Sequence, residues 1–215
     1  MFPLYDDNRS GRVPWVTRTL IVLNILIFGY EFTLSEGELN RFIVQFGFIP
    51  ASLGENLAQA GFSTLTSQFL HGGVMHLLGN VWFLWIFGDN IEDRYGHLPF
   101  LGLYLLWGVA AALSQAFFGE DPTVPMIGAS GAISGVLGAY LVTYPRARIR
   151  TFVPIFIIFL LPWVRALIFL PYWLIIQIFS SQSGDSGVAF LAHIGGFVAG
   201  AVVALLPWSP AKRLL

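Results

Sequence analysis

Apolar residues in this chain fall into blocks long enough to cross a bilayer, separated by polar or proline-containing breaks. Six such segments occupy residues 16–32, 67–87, 98–118, 128–144, part of 152–181, and 188–206. A membrane helix needs about 20 apolar residues to traverse a hydrocarbon core ~30 Å thick, so each block is expected to be a span. One long loop, 34–66, separates the first two; the other connections are short. The stretch 152–181 is interrupted by Pro154, Pro162, Arg165 and Pro171. Proline removes a helical hydrogen bond and biases its predecessor toward extended backbone. This predicts an interfacial or re-entrant connector, followed by a span from about Leu167. Arg9, Arg12 and Arg18 precede the first block as in a signal peptide, but no small-x-small cleavage pattern follows it. It reads as a retained anchor.

Composition sharpens the picture. Of 215 residues, 56% are hydrophobic and 11% charged, and the net charge is −1. A soluble domain carries about a quarter charged residues, so soluble, disordered and nucleic-acid-binding classes are excluded. The absence of cysteine removes disulfides, thiolate nucleophiles and cysteine-ligated zinc. Arg9, Arg12, Arg18, Arg94, Arg146, Arg148, Arg150, Arg165, Lys212 and Arg213 fall on one side of a six-span arrangement, and Arg41 alone on the other. The positive-inside rule then predicts both termini in the cytoplasm. The expected fold is an all-α membrane protein: a cytoplasmic segment 1–15, a six-transmembrane-helix domain 16–206 and a cytoplasmic tail 207–215. The short N-terminal segment without a transit peptide points to a prokaryotic inner membrane.

Polar side chains at membrane depth are costly and mark function. Three blocks carry them: His71, His76 and Asn80 in the second, Gly128-Ala129-Ser130-Gly131 opening the fourth, and His193 in the sixth. From Ser130 to Tyr144 is 15 residues, a rise of about 21 Å, so Ser130 lies roughly 10 Å below the outer surface. His193 lies six residues past Gly187, about 9 Å down. Serine and imidazole therefore reach matching depth on two helices running the same way. Gly131, Gly135 and Gly138 in the fourth block, and Gly196 and Gly200 in the sixth, allow close helix approach.

A serine beside a histidine is the minimum for nucleophilic catalysis, the imidazole removing the hydroxyl proton. No span supplies a carboxylate to orient the histidine, so the arrangement is a dyad, with packing, a water or a hydroxyl holding His193. His76 and Asn80, at i and i+4, share one helix face and can donate to an oxyanion together with the Ser130 N–H. Gly128 would leave that amide free at a helix N-terminus. Other chemistries fit less well. His71 and His76 are five residues apart and lack a carboxylate for a metal site. A second buried aspartate for an aspartyl protease is missing, as is an acidic path for a channel. His71 is expected to cap the outer helix end and His97 to occupy the cytoplasmic turn.

The run His71-x4-His76-x3-Asn80, the Gly128-Ala129-Ser130-Gly131 start and Ala192-His193-x2-Gly196-x3-Gly200 resemble, in order and spacing, the rhomboid intramembrane serine proteases. The resemblance covers the chain from about Arg18 to Leu206. It implies a Ser130 nucleophile, a His193 general base, and oxyanion donors from His76, Asn80 and the Ser130 amide. Implied partners are single-span transmembrane substrates and the lipid bilayer, with no cofactor, metal or nucleic acid. Loop 34–66 would be half-submerged, and the fifth span with loop 180–187 a movable gate and cap. The site would open to the non-cytoplasmic side. Two features depart from the pattern. Ser134 stands where some members place an aromatic against the imidazole, and its hydroxyl is a candidate partner for His193. A Trp-Arg pair found in some first loops is missing. The alternative from another class is a catalytically silent relative that binds transmembrane helices; such relatives lack the serine or the histidine.

Overall fold

The computed structural model describes residues 1–119, 121–155, 158–181 and 190–207. Expectations for Glu120, for loop 180–187 beyond Ser181 and for the tail beyond Pro207 lie outside the described residues.

Helix α1, Trp15–Glu31, begins just after Pro14. Its first amides are capped from a distant element. Val16 N–H and Thr17 N–H donate to the Glu92 carboxylate at 2.9 and 2.7 Å, and the Thr17 hydroxyl donates at 2.7 Å. An anion there suits the positive end of the helix dipole. Loop 34–66 is helical: α2 is Glu36–Phe46, with a Ser35/Glu38 capping box, α3 is Ser52–Glu55 and α4 is Leu57–Thr66. After a 3₁₀ turn, Ser67–Phe69, the chain bends by 85° into α5, Val74–Tyr95.

The second span was expected over 67–87; the helix starts seven residues later and runs eight further. Its C-terminal extension is polar, yet it stays helical because its side chains have partners. Glu92 holds the start of α1, and Asn90 Nδ2 donates to Asp6 at 3.1 Å. Gly96, at φ 86°, makes the left-handed turn into α6, His97–Phe118. Among the described residues, α6 alone is both long and apolar enough as a single helix to cross a bilayer. Then follow α7, Ser130–Thr143, α8, Ala166–Ser181, and α9, Phe190–Leu205.

The connector after α7 is β-structure, which the all-α expectation missed. Strands β1 (Phe2–Asp6), β2 (Arg148–Ile155), β3 (Ile158–Leu160) and β4 (Trp163–Arg165) are all antiparallel, with β1, β3 and β4 each paired to β2. The prolines that exclude helix here leave a β-branched and aromatic run suited to strands. Phe2 pairs with Phe152 and Asp6 with Ile149, bringing the N-terminal segment onto the basic end of the bundle.

Every residue from Gly131 to Tyr140 of α7 is buried. A Cβ at Gly131 would lie 2.6 Å from Ala111 of α6, and one at Gly135 would strike Trp107. On the other side, a Cβ at Gly196 or Gly200 of α9 would land on the carbonyls of Gly131 and Gly135. Helix α7 is thus threaded between α6 and α9 by its lack of side chains.

At the basic end, Asp6 accepts hydrogen bonds from Tyr140 and Asn90. Its pKa is raised from 3.8 to about 7 by burial, with repulsion from Asp89 and Asp7 added and the Tyr140 hydrogen bond opposing. The folded chain therefore holds a proton that the unfolded chain releases as pH rises through that window. Docking of β1 weakens as pH climbs from about 4 to 7. Hydrogen exchange at β1 amides, corrected for intrinsic rates, should be better protected at pH 5 than at pH 8. Asp6→Asn should flatten the difference; equal protection in the parent would contradict it.

Candidate active site

Ser130 is the first residue of α7. The first ladder bond of that helix runs from Ile133 N–H to the Ala129 carbonyl at 3.0 Å, so the Ser130 amide precedes the ladder. Gly128 sets this start. It adopts φ 121°, and its N–H donates to the Ser67 carbonyl at 2.8 Å, tying the α7 N-terminus to the turn before α5. A two-way bridge between Phe48 and Met126, at 2.7 and 3.0 Å, fixes the loop just upstream.

His76, in the first turn of α5, lies over Gly128. A Cβ there would sit 2.6 Å from both Cε1 and Nε2 of the imidazole and 3.7 Å from Ser130 Oγ. Ring and hydroxyl therefore flank one small space. One turn along, Asn80 is buried, and its Nδ2 has no hydrogen-bond partner among the described residues. An unpaired buried donor is uncommon in a native fold; here it is aligned with His76 on the same face of α5.

His193 is buried on α9, one turn before Gly196, whose backbone meets that of Gly131. Ser130, next to Gly131, and His193, one turn before Gly196, thus flank the same end of the α7–α9 contact. The Ser130 hydroxyl makes no hydrogen bond among the described residues, so the pairing rests on the helix contact. Catalytic hydrogen bonds are commonly long until substrate binds.

The imidazole is held by α8. Its Nδ1 lies 3.0 Å from Gln177 Oε1, and its ring is 6.0 Å, centroid to centroid, from Trp173, one turn away on the same helix. Sequence reasoning passed over both. The available signal was a lone amide in the otherwise apolar run of α8, by the same membrane-depth rule that picked out Asn80. Ser134 does not take this role: its hydroxyl donates to the Ser130 carbonyl at 2.7 Å, the nearest acceptor in its own helix.

His71 lies ahead of α5 rather than capping it, with Nδ1 3.2 Å from the Phe69 carbonyl. Its N–H points at Glu31, a buried carboxylate ending α1. His97 pairs with Glu92 at 2.5 Å. No cluster suited to a metal occurs among the described residues.

Residues 58–210 match the Rhomboid domain. The chain belongs to the rhomboid family. Proteins of this family are integral membrane proteins built as helical bundles. The chain is 37% identical over 130 residues to Rhomboid protease GluP of Bacillus subtilis (strain 168), covering 60% of this chain and 24% of that protein. It is 31% identical over 140 residues to RHOMBOID-like protein 4 of Arabidopsis thaliana, covering 65% and 32%. With Rhomboid protease AarA of Providencia stuartii it shares 29% identity over 209 residues, covering 88% and 71%. The chain thus matches about a quarter to a third of the first two relatives' lengths and most of the third.

The Gly128 geometry makes a prediction that needs no substrate. Gly128→Ala should lower the thermal unfolding temperature in detergent, because the new methyl meets the His76 ring on a strained backbone. Gly79→Ala, where nothing lies within 4 Å, should raise it slightly through helix propensity, worth about 1 kcal/mol. Equal effects at the two sites would contradict the close approach.

Proposed function

We propose that this chain is an intramembrane serine endopeptidase that cuts transmembrane helices of membrane-protein substrates. The observation that carries the proposal is the α7–α9 backbone contact, with Ser130 and His193 at one end and His76 against Gly128. Family membership and protease-named relatives support the same activity.

In the proposed reaction, His193 Nε2 takes the Ser130 proton as Oγ attacks the scissile carbonyl. The tetrahedral oxyanion is met by the Ser130 N–H, Asn80 Nδ2 and His76. The unpartnered Asn80 amide fits this role, because it is a desolvated donor whose acceptor would arrive with the reaction. Imidazolium then protonates the leaving amine, and water releases the acyl-enzyme by the same steps reversed. A helical substrate amide is already hydrogen-bonded in lipid, so the scissile segment must unwind first. This favours single-span substrates with small or helix-breaking residues near the cut. No cofactor or metal enters the scheme.

The accompanying topology is six spans within 16–206, with cytoplasmic segments 1–15 and 207–215. It has a prokaryotic inner-membrane location and a site opening to the non-cytoplasmic side. The gathering of Arg12, Arg148 and Arg150 on the β-sheet end supports this orientation: Arg12 pairs with Asp93 and Arg148 with Asp7 there, while Arg150 flanks Trp163.

In proteoliposomes carrying a single-span model substrate, Ser130→Ala and His193→Ala should each abolish cleavage. Asn80→Ala should lower kcat by about 10²–10³ with KM little changed, the usual effect of losing one oxyanion donor. Cleavage that survives Ser130→Ala would refute the protease. Substrate binding without cleavage in the parent would point instead to a silent, helix-binding relative.

A further inference from the structure

Among the described residues no carboxylate, the group that normally orients a catalytic histidine, pairs with His193; its ring nitrogen lies against an amide instead. An uncontrolled imidazole would divide itself between two tautomers, and only the one with the proton on Nδ1 leaves Nε2 free to act as base. Wrong tautomers are expensive in serine hydrolases even when the geometry is intact. Something must therefore fix His193.

We propose that Gln177 is the positioning residue of the general base. Its side-chain oxygen lies 3.0 Å from His193 Nδ1, where it accepts the Nδ1 proton and turns the Nε2 lone pair toward Ser130. This assignment rests on the proposed Ser-His dyad. During attack the hydroxyl proton moves to Nε2, the Nδ1 proton stays on the amide oxygen, and the positive ring faces the negative end of the amide dipole. The same Nε2 proton then passes to the leaving nitrogen, and Gln177 neither gains nor loses a proton. An amide performs this task at membrane depth without the cost of a buried carboxylate.

Trp173 completes the clasp. It stands one turn before Gln177 on α8, its ring tilted 35° to the imidazole, while Phe190 approaches edge-on from α9 at 6.1 Å. Ser134 itself faces Gly196, with only 3.4 Å between its Cβ and one built on that glycine. Because the acceptor and the ring both sit on α8, orientation of the base depends on that helix being packed. Pro171 lies inside α8, just before Trp173, and removes one rung of its ladder.

The test uses the full chain in proteoliposomes or micelles. With 15N-labelled histidine at a pH where the imidazole is neutral, the His193 signals, assigned by their loss in H193Q, should show the proton on Nδ1. In Q177L they should shift to the Nε2-protonated or averaged pattern. On a model transmembrane substrate, Q177L should lower kcat about ten- to a hundredfold, the cost of leaving one buried donor unpaired, with KM within about twofold. Q177E, which restores an acceptor, should recover the Nδ1–H pattern and much of the lost turnover. An Nε2-protonated His193 in the parent, or parental kcat in Q177L, overturns the assignment. Failure of the protease reading looks different: the parent cleaves nothing under any condition, while the tautomer spectra still decide the Gln177 contact.

Discussion

Two helices in this protein touch through their backbones, and most of what matters follows from that contact. Lipid gives helices no hydrophobic reason to associate, so close packing and short-range attraction must supply it. Helix α7 is lined with glycine toward both α6 and α9, and α9 answers with Gly196 and Gly200 against the carbonyls of Gly131 and Gly135. Small residues at these positions set the interhelical distance, and the interhelical distance sets where Ser130 and His193 stand. Packing and proposed chemistry are the same geometric fact at two ends of one helix pair.

Polar groups divide between the two ends of the bundle. At the sheet end, Glu92 gathers the start of α1 and His97 into one buried network, and Asp6 joins the N-terminal strand to α5 and α7. These contacts have their partners and read as structural. On α5, Asn80 Nδ2 is buried without a partner among the described residues, as is Asn8 Nδ2 near the sheet end. Leaving a buried donor unsatisfied costs about 1–3 kcal/mol. In the proposed reaction the acceptor for Asn80 Nδ2 is the oxyanion, which arrives with the substrate.

Much of this was legible in the sequence. The blocks behind α1, α6, α7 and α9 have clear apolar edges, and counting residues from those edges placed Ser130 and His193 at one depth. Hydropathy misled for α5, because it treats Asp89, Glu92 and Asp93 as a helix end, whereas the buried Glu92 carboxylate accepts hydrogen bonds from the first amides of α1. The sheet was invisible for a different reason: Phe2 and Phe152 pair across about two thirds of the chain's length, and local pattern carries no information about such partners. Gln177 falls between these cases. Its polarity in an apolar helix was visible, but its contact with His193 depends on how α8 packs on α9. Ser134, a candidate partner for His193 in the sequence, instead donates to the Ser130 carbonyl of its own helix at 2.7 Å.

The central claim is that backbone contact between α7 and α9 aligns the serine with the imidazole. Phosphonylation of Ser130 by a fluorophosphonate, its Oγ displacing fluoride from phosphorus, located by mass spectrometry, measures that alignment most directly. The parent and Gly102→Val, whose site on α6 has nothing within 4 Å, should be phosphonylated at the same rate. Gly200→Val should remain helical by circular dichroism yet lose the labelling, because its side chain wedges α9 away from the Gly135 carbonyl. Parental labelling of Ser130 in Gly200→Val would contradict the account.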